Sequence, residues 1–133
     1  MPDIAGIHHI NLTVRDLARS VAWYSRLFGA PKAFDDVDEP QGWAKAGLRH
    51  PGSGLFINFT QHRAGAGEAF DERRTGLDHV AFRVADRAEL EAWKARLEEL
   101  GVEHSPIKKA GYGDVLTFRD PDNIQLEIYA PRE

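Results

Sequence analysis

The sequence contains no cysteine, only one methionine, and no apolar run approaching the roughly 20 residues of a membrane-spanning helix. Without cysteine there are no disulfides, no thiolate metal sites of the zinc-finger kind and no cysteine nucleophile, and a reducing compartment fits. The opening MPDIAG has no basic stretch leading into an apolar run, so a cytoplasmic chain without a membrane partner is expected. An excess of positive charge is also missing. Against 21 Asp and Glu stand 17 Lys and Arg, giving a net charge of -4 and a pI near 5.9. The acidic residues are spread along the chain, so nucleic acid is not an expected partner and a small molecule is. The 133 residues, 42% of them hydrophobic, suffice for one compact domain with its own core.

An internal repeat organises the chain. When the sequence is slid against itself by 70 positions, nine pairs are identical over residues 6 to 27: Gly6/Gly76, His9/His79, Val14/Val84, Asp16/Asp86, Ala18/Ala88, Ala22/Ala92, Trp23/Trp93, Arg26/Arg96 and Leu27/Leu97. About one or two matches are expected at average residue usage. Pro51 meets Pro121 at the same offset, in two turn-forming clusters, HPGSG and DPDN, that lead into alternating apolar runs. The chain therefore reads as two related modules, about 1–62 and about 74–133, joined by the polar stretch QHRAGAGEAFDERRTG at 61–76.

Each module reads strand, helix, then strands. Ile10, Leu12 and Val14 alternate with His9, Asn11 and Thr13, the period of a half-buried strand. Asp16 is placed to cap a helix whose apolar stripe is Leu17, Val21, Tyr24 and Leu27/Phe28, with Gly29 as its stop. In the second module Asp86 caps, Leu90, Trp93, Leu97 and Leu100 form the stripe, and Gly101 ends it. Strands are expected at Trp43–Leu48, Leu55–Thr60, Val115–Arg119 and Ile124–Tyr129, with one more near Lys32–Val37 and near Val102–Ile107. The fold class is α+β, from two tandem units of this kind.

Parity decides which side chains share a face. With Ile10, Leu12 and Val14 toward the helix, His9, Asn11 and Thr13 project from the other side. In the second module Val80, Phe82 and Val84 point inward, leaving His79, Ala81 and Arg83 opposite. In the last strand Ile124, Leu126 and Ile128 point inward, so Gln125, Glu127 and Tyr129 join the face of His79. The same count puts Asn58 of the first module where Glu127 stands in the second. Two strand-borne imidazoles and one carboxylate are the makings of a two-His, one-carboxylate site for a divalent metal: Fe, Mn, Co, Ni or Zn. Such a site keeps positions open for substrate. A lone strand histidine is more often an ordinary hydrogen-bonded residue, but its recurrence in two diverged halves shifts the balance toward a ligand pair, His9 and His79, with Glu127 as the carboxylate. The extra histidine, His8, reads as a packing or hydrogen-bonding neighbour.

The stretches H-x-x-L-x-V-x-D-L from His9, H-V-A-F-x-V from His79 and F-R-D-P-D-N-x-x-x-E ending at Glu127 together resemble the vicinal oxygen chelate superfamily, over essentially the whole chain. This superfamily contains glyoxalase I, fosfomycin-resistance proteins, methylmalonyl-CoA epimerase, extradiol dioxygenases and bleomycin-resistance proteins. The resemblance implies paired βαβββ modules forming a cup-shaped mixed or antiparallel sheet, helices outside, around a divalent metal held by residues at His9, His79 and Glu127. It also implies a homodimer, because small relatives with this layout commonly pair modules between subunits. The sequence departs from glyoxalase I, which has a glutamate ligand where Asn58 stands, and from the fosfomycin-resistance enzymes, which carry Ser and Tyr where Val115 and Thr117 stand. Bleomycin-resistance proteins lack the metal ligands.

The expected activity is that of a metal-dependent, glyoxalase-like enzyme working on a small substrate with neighbouring oxygens, by isomerisation, lyase or addition chemistry. The alternatives are an extradiol-type iron dioxygenase and a metal-free drug-binding protein. Beside Glu127, Arg83 and Tyr129 are the candidate catalytic residues, Arg83 as a charge-assisted donor to an anionic substrate and Tyr129 as a hydrogen-bond donor to a bound oxygen.

Overall fold

The computed structural model describes residues 1–65 and 67–132. The chain divides into two compact units, Met1–Glu68 and Ala69–Glu133. The first contains β1 (His9–Thr13), α1 (Leu17–Phe28), β2 (Lys32–Asp38), β3 (Trp43–Arg49) and β4 (Phe56–His62). The second contains β5 (Val80–Arg83), α2 (Arg87–Glu99), β6 (Lys108–Ala110), β7 (Gly113–Arg119) and β8 (Gln125–Pro131). Each unit has a four-stranded mixed sheet, ordered β1-β4-β3-β2 in one and β5-β8-β7-β6 in the other. The first strand pairs parallel with the last, and the remaining pairs are antiparallel. This is the α+β architecture of two tandem βαβββ modules that the repeat implies.

The helices begin and end where their capping residues dictate. Asp16 is extended at φ -139 and its side chain accepts from the Arg19 backbone N–H at 3.0 Å, while Gly29 leaves α1 in the left-handed region at φ 61. Asp86 likewise accepts from the Glu89 N–H at 3.0 Å, and Gly101 at φ 70 follows the last turn of α2. Each helix packs on the last two strands of its own sheet, α1 on β3 and β4, α2 on β7 and β8. Tyr24 and Leu27 of α1 are buried with Leu48, Ile57 and Phe59, and Leu90 and Leu97 of α2 with Leu116, Leu126 and Ile128. Two small apolar cores result, each between one helix and one sheet face. Burying such side chains fully contributes about 1.5–3 kcal/mol apiece.

One strand lies elsewhere than expected. The stretch Val102–Ile107 makes only an isolated bridge, His104 to Phe118, and the third strand of this module is the short β6 at Lys108–Ala110. Pro106 has no N–H to give to a ladder. Ser105 compensates by direct ties to β7, donating its N–H to the Thr117 carbonyl at 2.8 Å and accepting the Thr117 N–H on Oγ at 2.9 Å. The corresponding edge strand of the first unit, β2, extends over all of Lys32–Asp38, with one register irregularity between Lys32 and Phe34. Among the described residues no helix is long and apolar enough to cross a membrane.

Candidate metal centre

The parity argument holds in both units. Leu12 of β1 and Val14 just after it are buried while His9, Asn11 and Thr13 are exposed. Val80 pairs with Leu126 and Phe82 with Ile128 on the helix side, so Ala81 with Glu127 and Arg83 with Tyr129 share the other face. Asn11 pairs with Asn58 as its counterpart Ala81 pairs with Glu127. Asn58 therefore holds the position of Glu127 in the repeat.

The second unit brings His79 and Glu127 together. His79 Nε2 stands 3.6 Å from Glu127 Oε2, too long for a hydrogen bond, and its other nitrogen, Nδ1, is 2.6 Å from Asp78 Oδ1. An ionised carboxylate only accepts, so a neutral ring would donate its Nδ1–H to Asp78 and leave the Nε2 lone pair toward Glu127. In that tautomer a cation in the gap would be satisfied from both sides, by Nε2 and by Oε2. A metal bound at the ~2.0–2.2 Å usual for imidazole and carboxylate ligands separates two such atoms by at most about 4 Å, and the observed pair falls within that bound. The pair fits a divalent ion. Glu127 is mostly buried, with its side chain 18% exposed, whereas the His79 side chain is 38% exposed.

The turn that delivers Glu127 is built from its own sequence. Asp120 Oδ1 accepts the N–H groups of Asp122 and Ile124, both at 2.8 Å, and Asn123 takes the left-handed conformation at φ 69. The turn is tied to the loop before β5 by Phe70 N–H donating to the Asp122 carbonyl at 2.8 Å and by Asn123 Nδ2 donating to the Phe70 carbonyl at 3.1 Å. The same loop carries Glu72, which accepts a two-pronged pair of hydrogen bonds from Arg119 at 2.8 and 3.0 Å. That pairing holds the Glu72 carboxyl down at about 2. Arg119 also donates to Gln125 Oε1 at 3.3 Å, and Gln125 Nε2 donates to Asp78 Oδ1 at 3.3 Å.

In the first unit His9 is exposed and its Nδ1 lies 2.9 Å from Nδ1 of His8. His8 in turn stacks on Phe56, with ring centroids 5.8 Å apart and planes 14° from parallel. Asn58 is buried, and its Oδ1 has no hydrogen-bond partner among the described residues. A side chain on Gly47, its register partner in β3, would put a Cβ 2.5 Å from that oxygen and 2.2 Å from the Phe34 ring, so only glycine fits there. Tyr129 donates its hydroxyl to the Ala110 carbonyl at 3.3 Å, and its ring lies over Gly113, where a Cβ would come within 2.5 Å of it. Arg83 is exposed beside it. Among the described residues no group of three or more His, Cys, Asp or Glu is gathered closely enough to hold a metal ion. Of the three expected ligands, His79 and Glu127 are the two between which the structure shows a close approach. Asp78, Arg119 and Glu72 were not singled out from the sequence, although the 70-residue offset does place Asp78 opposite His8.

Residues 6–128 match the Glyoxalase/Bleomycin resistance protein/Dioxygenase superfamily, and the chain belongs to it. A crystal structure of a glyoxylase/bleomycin resistance protein/dioxygenase domain from Frankia sp. EAN1pec superposes with a TM-score of 0.87 at 35% identity, covering 98% of this chain and 100% of that one. FosX, a fosfomycin resistance protein of Listeria monocytogenes solved with Mn(II) and a sulfate ion, is 27% identical at a TM-score of 0.69, over 96% of this chain and 93% of that one. A catechol-2,3-dioxygenase of Bacillus subtilis is 30% identical over 95% of this chain. The chain spans 42% and 41% of two Bacillus subtilis dioxygenases it matches, and 90% of two FosX sequences.

Proposed function

We propose that the protein is a divalent-metal-dependent enzyme of the glyoxalase type, acting on a small substrate with two neighbouring oxygens by isomerisation, lyase or addition chemistry. The observation that carries this reading is Nε2 of His79 standing 3.6 Å from Glu127 Oε2, while Asp78 engages the other ring nitrogen. His9, which projects from the equivalent strand of the first module, completes the proposed ligand set of His9, His79 and Glu127. A divalent ion bound by these residues supplies Lewis acidity that stabilises negative charge developing on a substrate oxygen.

The remaining roles fall to the chain's own side chains. Arg83, exposed on the strand beside Tyr129, offers a cationic donor to an anionic substrate. Tyr129 has its ring fixed against Gly113, and its hydroxyl can turn from the long bond with Ala110 toward a substrate oxygen. Asn58 is an amide and cannot take up a proton as a carboxylate base would. The likeness to FosX, solved with Mn(II), supports the metal class and a small-molecule substrate. The second reading, an extradiol-type oxygenase using iron, is favoured by the 30% identity to a catechol-2,3-dioxygenase. In either reading the enzyme works in the cytoplasm as a homodimer. Titration of Mn(II) into chelator-treated protein tests the proposal: saturable binding, abolished by Glu127→Ala, is expected, and no binding to the wild type refutes it. Oxygen uptake with Fe(II) and a catechol panel separates the two readings.

A further inference from the structure

The two halves of the repeat do more than place a histidine at the same point of the chain, where His9 opens β1 and His79 stands immediately before β5. In each half the residue immediately before the histidine touches its Nδ1: His8 does so for His9 at 2.9 Å, and Asp78 for His79 at 2.6 Å. These partners, His8 and Asp78, are themselves 70 positions apart, like the histidines they hold. Each partner is steadied by one residue at the start of the last strand of its unit. Phe56 stacks on His8, and Gln125 donates to Asp78. Phe56 is two residues before Asn58 and Gln125 two before Glu127, so the supports too are counterparts in the repeat. The chemistry differs, ring stacking in one half and an amide hydrogen bond in the other, yet the outcome is the same. One imidazole nitrogen is engaged and Nε2 is left over.

We propose that His8 and Asp78 are paired positioning residues, each holding the next residue's imidazole in the Nδ1–H tautomer so that Nε2 of His9 and of His79 is offered as an electron-pair donor. This rests on the reading of His9 and His79 as metal ligands. A ligating histidine whose other N–H is held by an acceptor is fixed in orientation and made more basic, and loss of such a partner typically weakens metal binding roughly 10- to 100-fold. For His79 the acceptor is a carboxylate, and its amide support is itself fixed. Arg119 donates to Gln125 Oε1, which leaves the amide nitrogen for Asp78, and Glu72 clamps Arg119. For His9 the acceptor is the Nδ1 lone pair of His8, which requires His8 to be in the opposite, Nε2–H tautomer. The adjacent histidines thus divide the work, one binding and one aiming.

Long-range nitrogen–proton correlation spectra of the metal-free protein, at about pH 8, above the ordinary imidazole range, read the tautomers directly. The wild type should show His9 and His79 as Nδ1–H. Asp78→Ala should move His79 toward Nε2–H, and His8→Ala should do the same to His9, while Asp78→Asn, which keeps an acceptor oxygen, should retain the wild-type tautomer of His79. Both His8 and Asp78 are exposed, so truncation leaves the cores intact. Each alanine variant should also weaken Co(II) binding by roughly 10- to 100-fold, with Asp78→Asn weakened less. Unchanged tautomers in both alanine variants, or tautomer shifts without any loss of Co(II) affinity, would overturn the proposal. Failure of the ligand reading is separate: it would appear as full Co(II) binding by Glu127→Ala, and the metal-free spectra would still decide whether His8 and Asp78 aim the rings.

Discussion

Asn58 and Glu127 show how one residue changes what a repeated frame can do. They occupy the same position on the same strand of two related sheets, opposite Asn11 and Ala81, yet one ends in an amide and the other in a carboxylate. Glu127 faces His79 Nε2, whereas Asn58 is buried with an oxygen that lacks a hydrogen-bond partner among the described residues. A buried unsatisfied carbonyl is costly, by about 1–3 kcal/mol, and such groups are retained where they serve a purpose. If that oxygen serves turnover and not metal retention, Asn58→Ala will keep its metal while its rate changes by roughly tenfold or more. Metal analysis and steady-state rates on one preparation check this, and complete loss of metal would make Asn58 a fourth ligand.

At the scale of elements, local chemistry made most of the fold legible. The two aspartate caps, the glycines after each helix and the alternation in β1 and β8 are short-range signals, and the structure follows them. The misplaced strand, at Lys108–Ala110 and not Val102–Ile107, arose because Pro106 interrupts a stretch whose alternation looks strand-like, and because Ser105 ties to Thr117 without extending a ladder. The face carrying His79, Glu127 and Tyr129 followed from parity alone. The support behind it did not, since Asp78, Gln125, Arg119 and Glu72 come together from a loop and two strand ends far apart in sequence. That loop contact is testable through pH. The guanidinium of Arg119 lowers the Glu72 carboxyl from 4.5 to about 2, so its stabilising contribution is full above about pH 4.5 and disappears as pH falls through about 2. Glu72→Gln should therefore melt below the wild type at neutral pH, with the gap closing across that acid window; a gap independent of pH would show that the ion pair does not tie down the loop.

At the scale of the whole molecule, a two-module repeat raises the question of which modules pair. The chain divides into units of nearly equal size, each with a complete sheet, helix and core. Homodimerisation is a common solution for small symmetric proteins. If sites are shared between subunits, mixing inactive His9→Ala with inactive Glu127→Ala protein under subunit exchange will restore one intact site per heterodimer and partial metal binding; if each site belongs to one chain, no mixture recovers any. The central claim, that Glu127 and His79 hold a divalent ion, has a more direct test. Elemental analysis of protein purified without added ions is predicted to find about one divalent metal per chain in the wild type and almost none in Glu127→Ala, whose melting transition stays cooperative because the side chain faces away from the core. Equal metal content in the two proteins would contradict the account.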